Sequence, residues 1–325
     1  MGGNAIKSAQ RVDKATFDQY WEELKQLFPE LTMQRTSSYR QKQDFGDIDI
    51  VVKSNPYINI KQMVRDRLHP SEEYDNGPFY SFLYKTAQVD FIFHNEDDYE
   101  IALHYYSWND VCNFIGRIAR SLNFKFGHDG LWYTEHLDDH YKLDVFVSRD
   151  IEKILAFLGY DYERWTKGFD TIEDILAYGA SSAYFNSLYF SLEEQNNVDR
   201  VRNKKRKMYQ AMLKYIEDNN LQPKPKLNED QKLFQAYRAV NHFNNDFMLE
   251  VENKRYEYRK HCEFKSIFNG EIVKELTGLE GKELGRVMQA TKTAWPDFEN
   301  LVLEKGAKFV EQAVKDTVKN LASIE

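Results

Sequence analysis

The sequence predicts an α+β fold in which a small mixed sheet with helices on one face is followed by an all-helical C-terminal region. Two observations carry that prediction. Runs rich in β-branched and aromatic residues with strand periodicity end before about residue 150, and from Ile172 to Ala322 the apolar residues recur at helical spacing. A third feature sets the scale: 325 residues with 42% hydrophobic and 15% aromatic content suffice for roughly two domains and a well-buried core.

The elements follow in order. Phe17, Trp21, Leu24 and Phe28 stand at i, i+4, i+7 and i+11, one face of an amphipathic helix that Pro29 stops. Leu31 to Tyr39 reads as a strand, and Asp47-Ile48-Asp49-Ile50-Val51-Val52 as a second, closed by Asn55-Pro56. Ile60 to Leu68 has helical spacing. A turn at Asp75-Asn76-Gly77-Pro78 then leads into two strands, Phe79 to Lys85 and Gln88 to Phe93. Asn109 to Leu122 is helical, Leu131 to Tyr133 and Leu143 to Val147 suggest a hairpin, and Asp150 to Leu158 another helix. The stretch Gln222-Pro223-Lys224-Pro225-Lys226 interrupts the helical remainder and predicts a hinge.

Composition excludes several classes. With 21 Tyr and 22 Phe the chain has too much apolar area for a dominantly disordered protein. No apolar run reaches the roughly 18 to 20 residues that cross a bilayer, and Met1 to Gln10 lacks the apolar core of a secretory signal. A cytoplasmic location and no membrane partner are expected. Cys112 and Cys262 have no metal-ligand spacing and are expected to be reduced thiols. The net charge of −8 argues against a non-specific nucleic-acid coat, yet leaves room for local basic patches.

Asp47 and Asp49 share one face of a strand, about 6 to 7 Å apart along the chain. Such proximity is costly unless a cation neutralises the pair. Asp90 stands alone in an otherwise apolar strand, where a carboxylate must be paired, hydrated or metal-bound. If the two strands are neighbours, the three carboxylates make an all-oxygen site suited to Mg²⁺ or Mn²⁺. Two such ions about 4 Å apart activate a 3′-hydroxyl and stabilise departing pyrophosphate. Ahead of the pair, Thr36-Ser37-Ser38-Tyr39-Arg40 is a small-residue turn whose backbone can approach phosphate oxygens, with Arg40 adding charge.

The stretch TSSYRQKQDFGDIDIVV, followed by QVDFIF, resembles the catalytic palm of the DNA polymerase β-like nucleotidyltransferase superfamily. There a Gly-Ser turn precedes an Asp-x-Asp pair and a third Asp arrives on a later strand; here Ser37 or Thr36 replaces the Gly. The resemblance implies that Asp47, Asp49 and Asp90 hold two Mg²⁺ or Mn²⁺ ions. Asp90 would assist deprotonation of the primer hydroxyl, and Ser37, Ser38 and Arg40 would hold a nucleoside triphosphate. The expected domain plan is an N-terminal helix (1–30), a nucleotidyltransferase palm (31–105), a thumb-like segment (106–170) and a helical nucleic-acid-binding region (171–325), of which residues 171–265 resemble no known family.

YYSWNDVCNFIGRIARSLNFKFGHDGLWY resembles the region of family X DNA polymerases that reads Tyr-Phe-Thr-Gly-Ser-x-x-x-Asn. Matched to it, Tyr105 and Tyr106 would lie beside the incoming sugar, Asn113 near the base edge and Arg117 near the nascent pair. Trp108 stands where that family has Gly. Tyr105, Tyr106, Trp108 and Trp132 equally suit a hydrophobic core.

Arg200, Arg202, Lys204, Lys205, Arg206 and Lys207 put six cations in eight positions. This density suits a polyanion or a solvated helix face. Lys254 to Lys265 interleaves cations with Tyr256, Tyr258 and Phe264, for base stacking or helix packing. Phe268 to Met288 contains a Gly-rich turn, Gly278 to Gly281, opening a helix whose N-terminus suits a phosphate. That element resembles the Gly-Leu-x-Gly-x-x-Leu-Gly element of bacterial-type tRNA nucleotidyltransferases and poly(A) polymerases. Their Glu-Asp-x-x-Arg signature has only a loose analogue in Asp199-Arg200-Val201-Arg202.

The expected activity is therefore metal-dependent transfer of a nucleotide to the 3′-hydroxyl of a nucleic acid, with a tRNA 3′ end (CCA addition) as the leading acceptor. A DNA primer, extended by a family X-like repair polymerase or terminal transferase, is the first alternative. A non-catalytic nucleic-acid-binding protein on a palm fold is the second.

Overall fold

The computed structural model describes residues 5–322; the outermost ends of the expected N-terminal and C-terminal regions (1–4 and 323–325) lie outside them. The chain forms two compact units, Met1–Met248 and Leu249–Glu325. The Gln222 to Lys226 stretch is thus no hinge between units. It lies inside the first, where the Lys224 N–H and C=O both bond to the Asn186 amide at 2.9 and 2.7 Å. The division falls near the start of a long helix, and the expected boundaries at 30, 105 and 170 all lie within the first unit.

The first unit opens with β1 (Val12–Asp13) and α1 (Lys14–Leu27), continues through β2 (Met33–Arg35), β3 (Asp44–Phe45) and β4 (Asp47–Lys53), and reaches α2 (Ile60–Leu68). Then follow β5 (Glu73–Asn76), β6 (Phe79–Tyr84), β7 (Ala87–His94) and α3 (Tyr99–Tyr106). The main sheet has strand order β2-β4-β7-β6-β5, with β4 and β7 parallel and the other pairs antiparallel. The strand expected over Leu31 to Tyr39 is only three residues long. Past it the Thr36 N–H still reaches the Asp49 carbonyl at 3.0 Å, and the Ser37-Ser38 turn then leaves the sheet.

Helices cover both faces of this sheet, not one. Ile48, Ile50 and Val52 point to the face where Phe17, Trp21 and Leu24 of α1 and Ile60 and Val64 of α2 complete the core. Val51, at the opposite parity, packs on Tyr99 and Ala102 of α3. The two-residue strand period therefore puts Asp47, Asp49 and Val51 on the α3 face. The carboxylates sit at the near end of that face and the apolar residue at the far end, so one strand serves both a polar site and the core.

Beyond α3 come α4 (Val111–Ser121), β8 (Phe124–Gly127), β9 (Gly130–His136), β10 (Lys142–Ser148) and α5 (Ile151–Phe157). The expected hairpin is the β9-β10 pair, joined by β8 into an antiparallel sheet of order β10-β9-β8. The rest of the unit is helical: α6 (Tyr162–Lys167), α7 (Ile172–Gly179), α8 (Asn197–Lys205), α9 (Lys207–Asp218), α10 (Glu229–Phe243) and the start of α11 (Phe247–Ile267).

In the second unit the remainder of α11 joins α12 (Gly270–Thr277), α13 (Gly281–Ala294) and α14 (Phe298–Ala322) around Phe264, Phe268, Val287, Phe298 and Val314. The Gly-rich turn closes α12 with Gly278 at φ 69°, a left-handed cap that glycine adopts without strain. Glu280 occupies the N-cap of α13, its carboxylate 2.5 Å from Lys274 Nζ. No helix among the described residues is long and apolar enough to cross a membrane.

Candidate active site

The three expected carboxylates meet. In the parallel register of β4 and β7, Asp47 lies opposite Gln88 and Asp49 opposite Asp90. Asp47, Asp49 and Asp90 each offer one oxygen within 4.8 Å of the others. Gln88 anchors the third: its Oε1 accepts the Ala5 and Ile6 N–H groups, both at 3.1 Å, and its Nε2 donates to the two Asp90 oxygens at 2.8 and 3.0 Å.

The electrostatics are those of a site short of positive charge. Burial pushes the Asp49 carboxyl up to about 8, and the charges of Asp47 and Asp90 add to the shift. Burial also raises Asp90, with Ser81 and Gln88 opposing and Asp47 reinforcing. Lys42, half-buried and 4.6 Å from the centroid of Phe45, is drawn down by burial and held up by Asp47 and Asp49. One lysine does not balance three carboxylates. An all-oxygen donor set of this geometry fits Mg²⁺ or Mn²⁺ rather than zinc.

Three residues expected from sequence near a nucleotide fall beside this centre. Asp49, Tyr105, Tyr106 and Asn113 line a single pocket, together with Arg202 of the basic cluster. Asn113 Nδ2 donates to Asp110 Oδ1 at 2.8 Å, and the rings of Tyr105 and Tyr106 meet edge-on at 5.3 Å. A second pocket adjoins the first through Tyr105, Asn113 and Arg202, and adds Arg117 and Arg206. Burial, more than any neighbouring charge, raises the phenols of Tyr105 and Tyr106.

The Ser37 turn is braced from behind. The Ser37 N–H donates to Ser107 Oγ at 3.0 Å, and the Trp108 N–H to the Ser37 carbonyl at 2.6 Å. Trp108 and Asn109 are both left-handed, at φ 60° and 59°, unusual for non-glycine residues in succession. The Trp108 ring lies against Gly168 and edge-on to Phe169 at 5.3 Å. Ser38 is half-buried beside this turn. The Arg40 guanidinium is engaged elsewhere, in an ion pair with Asp170 and a bond to the Lys167 carbonyl at 2.8 Å.

The basic cluster divides. Arg202 and Arg206 face the pockets, whereas Lys204, Lys205 and Lys207 are exposed and Arg200 bonds to Asn197 at 3.1 Å. Sequence reasoning missed Asn109, Arg120 and Lys125, which line the same two pockets. Arg120 was within reach of it, standing one turn after Arg117 on the same helical face. Lys42 and Lys125 carry no local signal. The chain matches no protein-family model and no curated protein.

Proposed function

We propose that the protein is a metal-dependent nucleotidyltransferase. It joins a nucleotide from a nucleoside triphosphate to the 3′-hydroxyl of a nucleic acid and releases pyrophosphate. The observation that carries this reading is the register of β4 and β7, which sets Asp49 against Asp90 with Asp47 on the same face and all three within 4.8 Å. Asp47, Asp49 and Asp90 would hold two Mg²⁺ or Mn²⁺ ions, which supply a Lewis acid for the attacking and leaving oxygens. The Ser37-Ser38 turn offers backbone to the triphosphate, and Tyr105, Tyr106 and Asn113 shape the wall against which the nucleoside rests.

The acceptor we propose is a tRNA-type 3′ end, on the strength of the Gly278 to Gly281 element. Exposed Lys204, Lys205 and Lys207 provide sequence-independent attraction for its phosphates. The test is incubation of the purified protein with Mg²⁺ and each labelled nucleoside triphosphate in turn, on a tRNA lacking its 3′ end and on a gapped DNA duplex. Untemplated addition of C then A to the tRNA supports the reading. Template-directed gap filling replaces the RNA acceptor with a DNA primer, and no incorporation on either acceptor overturns transferase activity.

A further inference from the structure

Five cations converge on the pocket that adjoins the carboxylates. Arg117 and Arg120 come from one face of α4, Lys125 from β8, Arg202 from α8 and Arg206 from the residue that ends it. Among the described residues the only carboxylate lining that pocket is Asp199, 3.8 Å from Arg120. Arg206 reaches Asp110 at 3.6 Å, and Lys125 approaches Asp129 and Asp144 only to 3.9 and 4.0 Å. The Arg202 side chain makes no hydrogen bond or ion pair among the described residues.

Arg117 is positioned by neutral groups. Its Nη1 donates to the Tyr189 carbonyl at 3.1 Å, and its guanidinium lies 4.8 Å from the centroid of the Tyr209 ring. Burial, with the other arginines, draws Arg117 and Arg206 below the usual guanidinium range. Like charges gathered into a partly buried pocket oppose folding unless an anion joins them. Guanidinium groups fixed by a carbonyl and a ring keep free N–H edges for planar oxyanions.

We propose that Arg117, Arg120, Lys125, Arg202 and Arg206 form a phosphate site that takes a substrate's phosphoryl group next to the metal centre. Two sources share this chemistry: the polyphosphate end of the nucleotide, and a terminal phosphate on the acceptor. The place of the site in a reaction rests on the transferase reading; its binding of phosphate does not.

Calorimetry on the full chain in chelating buffer separates the sources. The titrants are inorganic tripolyphosphate, a 5′-phosphorylated tetranucleotide and the same tetranucleotide without the phosphate. At least one phosphorylated probe is expected to bind, and the tighter of them names the source. Arg202→Gln and Arg206→Gln should each weaken that probe about tenfold or more, as loss of a charge-assisted hydrogen bond does. Arg202 is exposed, so Arg202→Gln carries the test if Arg206→Gln fails to fold.

Neither phosphorylated probe binding better than the unphosphorylated one would overturn the site, as would unchanged affinity in both folded variants. A protein that binds through these arginines yet transfers no nucleotide keeps the phosphate site and loses the transferase reading. One that transfers nucleotide while both variants bind normally does the reverse.

Discussion

Asp49 and Asp90 face each other across two neighbouring parallel strands, so the β4–β7 ladder that carries the core also sets the spacing of the carboxylates. Neither can shift along its strand without moving Ile48, Ile50 or Phe91, all fully buried. The site is therefore as rigid as the sheet, which suits chemistry that depends on placement.

Asp49→Asn and Asp47→Ala should each reduce nucleotide transfer by about a thousandfold or more, the loss of several kcal/mol of metal-mediated stabilisation. The fold should survive. Removing one of three mutually repelling carboxylates relieves a metal-free site, so the melting temperature in chelator is expected to equal or exceed that of the parent. Single-turnover assays and thermal unfolding read the two quantities, and substantial residual transfer would sink the assignment.

Metal binding should itself be visible without substrate. A ligand at a hundredfold excess over its Kd stabilises the folded state by about 2.7 kcal/mol. Mg²⁺ or Mn²⁺ should thus raise the melting temperature of the parent protein but not of Asp49→Asn. Equal shifts in both would place the ion elsewhere.

His94 gives the protein an acid-sensitive interior. It is 6% exposed, its Nε2 has no partner among the described residues, and its ring centroid lies 4.9 Å from that of His128. Burial, then His128, lowers it to about 4, against the pull of Asp98 and Asp129. The unfolded chain takes up this proton below about pH 6.5, whereas the folded one resists until about 4. Stability from this residue is therefore lost as pH falls through that window, by roughly 3 kcal/mol in all. Denaturant titrations at about pH 7 and about pH 4.5 should show a smaller difference for His94→Phe than for the parent; identical differences would contradict it.

Gly168→Ala tests the brace behind the Ser37 turn. Gly168 sits at φ 72°, and an added Cβ would lie 2.4 Å from Trp108 Cη2. The cost should be about 1 to 3 kcal/mol of stability. Because the Trp108 N–H holds the Ser37 carbonyl, nucleotide KM should rise too. A variant destabilised but with unchanged KM would confine Trp108 to packing.

Reversing charge at Lys204, Lys205 and Lys207 should weaken polynucleotide binding and lower the slope of log affinity against log salt by about one for each phosphate that is no longer neutralised. An unchanged slope would make this face solvent-exposed surface alone.

Much of the main sheet was legible because strand periodicity is a local property. The alternation Asp-Ile-Asp-Ile states which side chains share a face, and the lone Asp90 among apolar neighbours signals a polar function. Which faces carry helices was not legible, since Val51 reads as a continuation of an apolar run until its parity is counted against Ile50 and Val52. The split of the basic cluster was hidden for a similar reason. Arg202 on α8 and Arg206, the residue that ends it, share a pocket with Arg117 and Arg120 of α4, whereas Lys204 and Lys205 are exposed, and α4 lies far earlier in the chain. Lys42 was invisible altogether, because only the tertiary fold turns its side chain towards Asp47 and Asp49.

The two halves of the centre lie in pieces of chain with different folding histories. β6 and β7 meet across the two-residue loop Lys85-Thr86, a local closure on the microsecond scale. β4 can join β7 only once the intervening helix and hairpin have folded back, a slower, long-range step. Local pairing ahead of long-range pairing predicts that Asp90 already stands on its hairpin when Asp47 and Asp49 dock. A nascent or partly unfolded chain has no assembled centre, and the three carboxylates come together only with completion of the sheet.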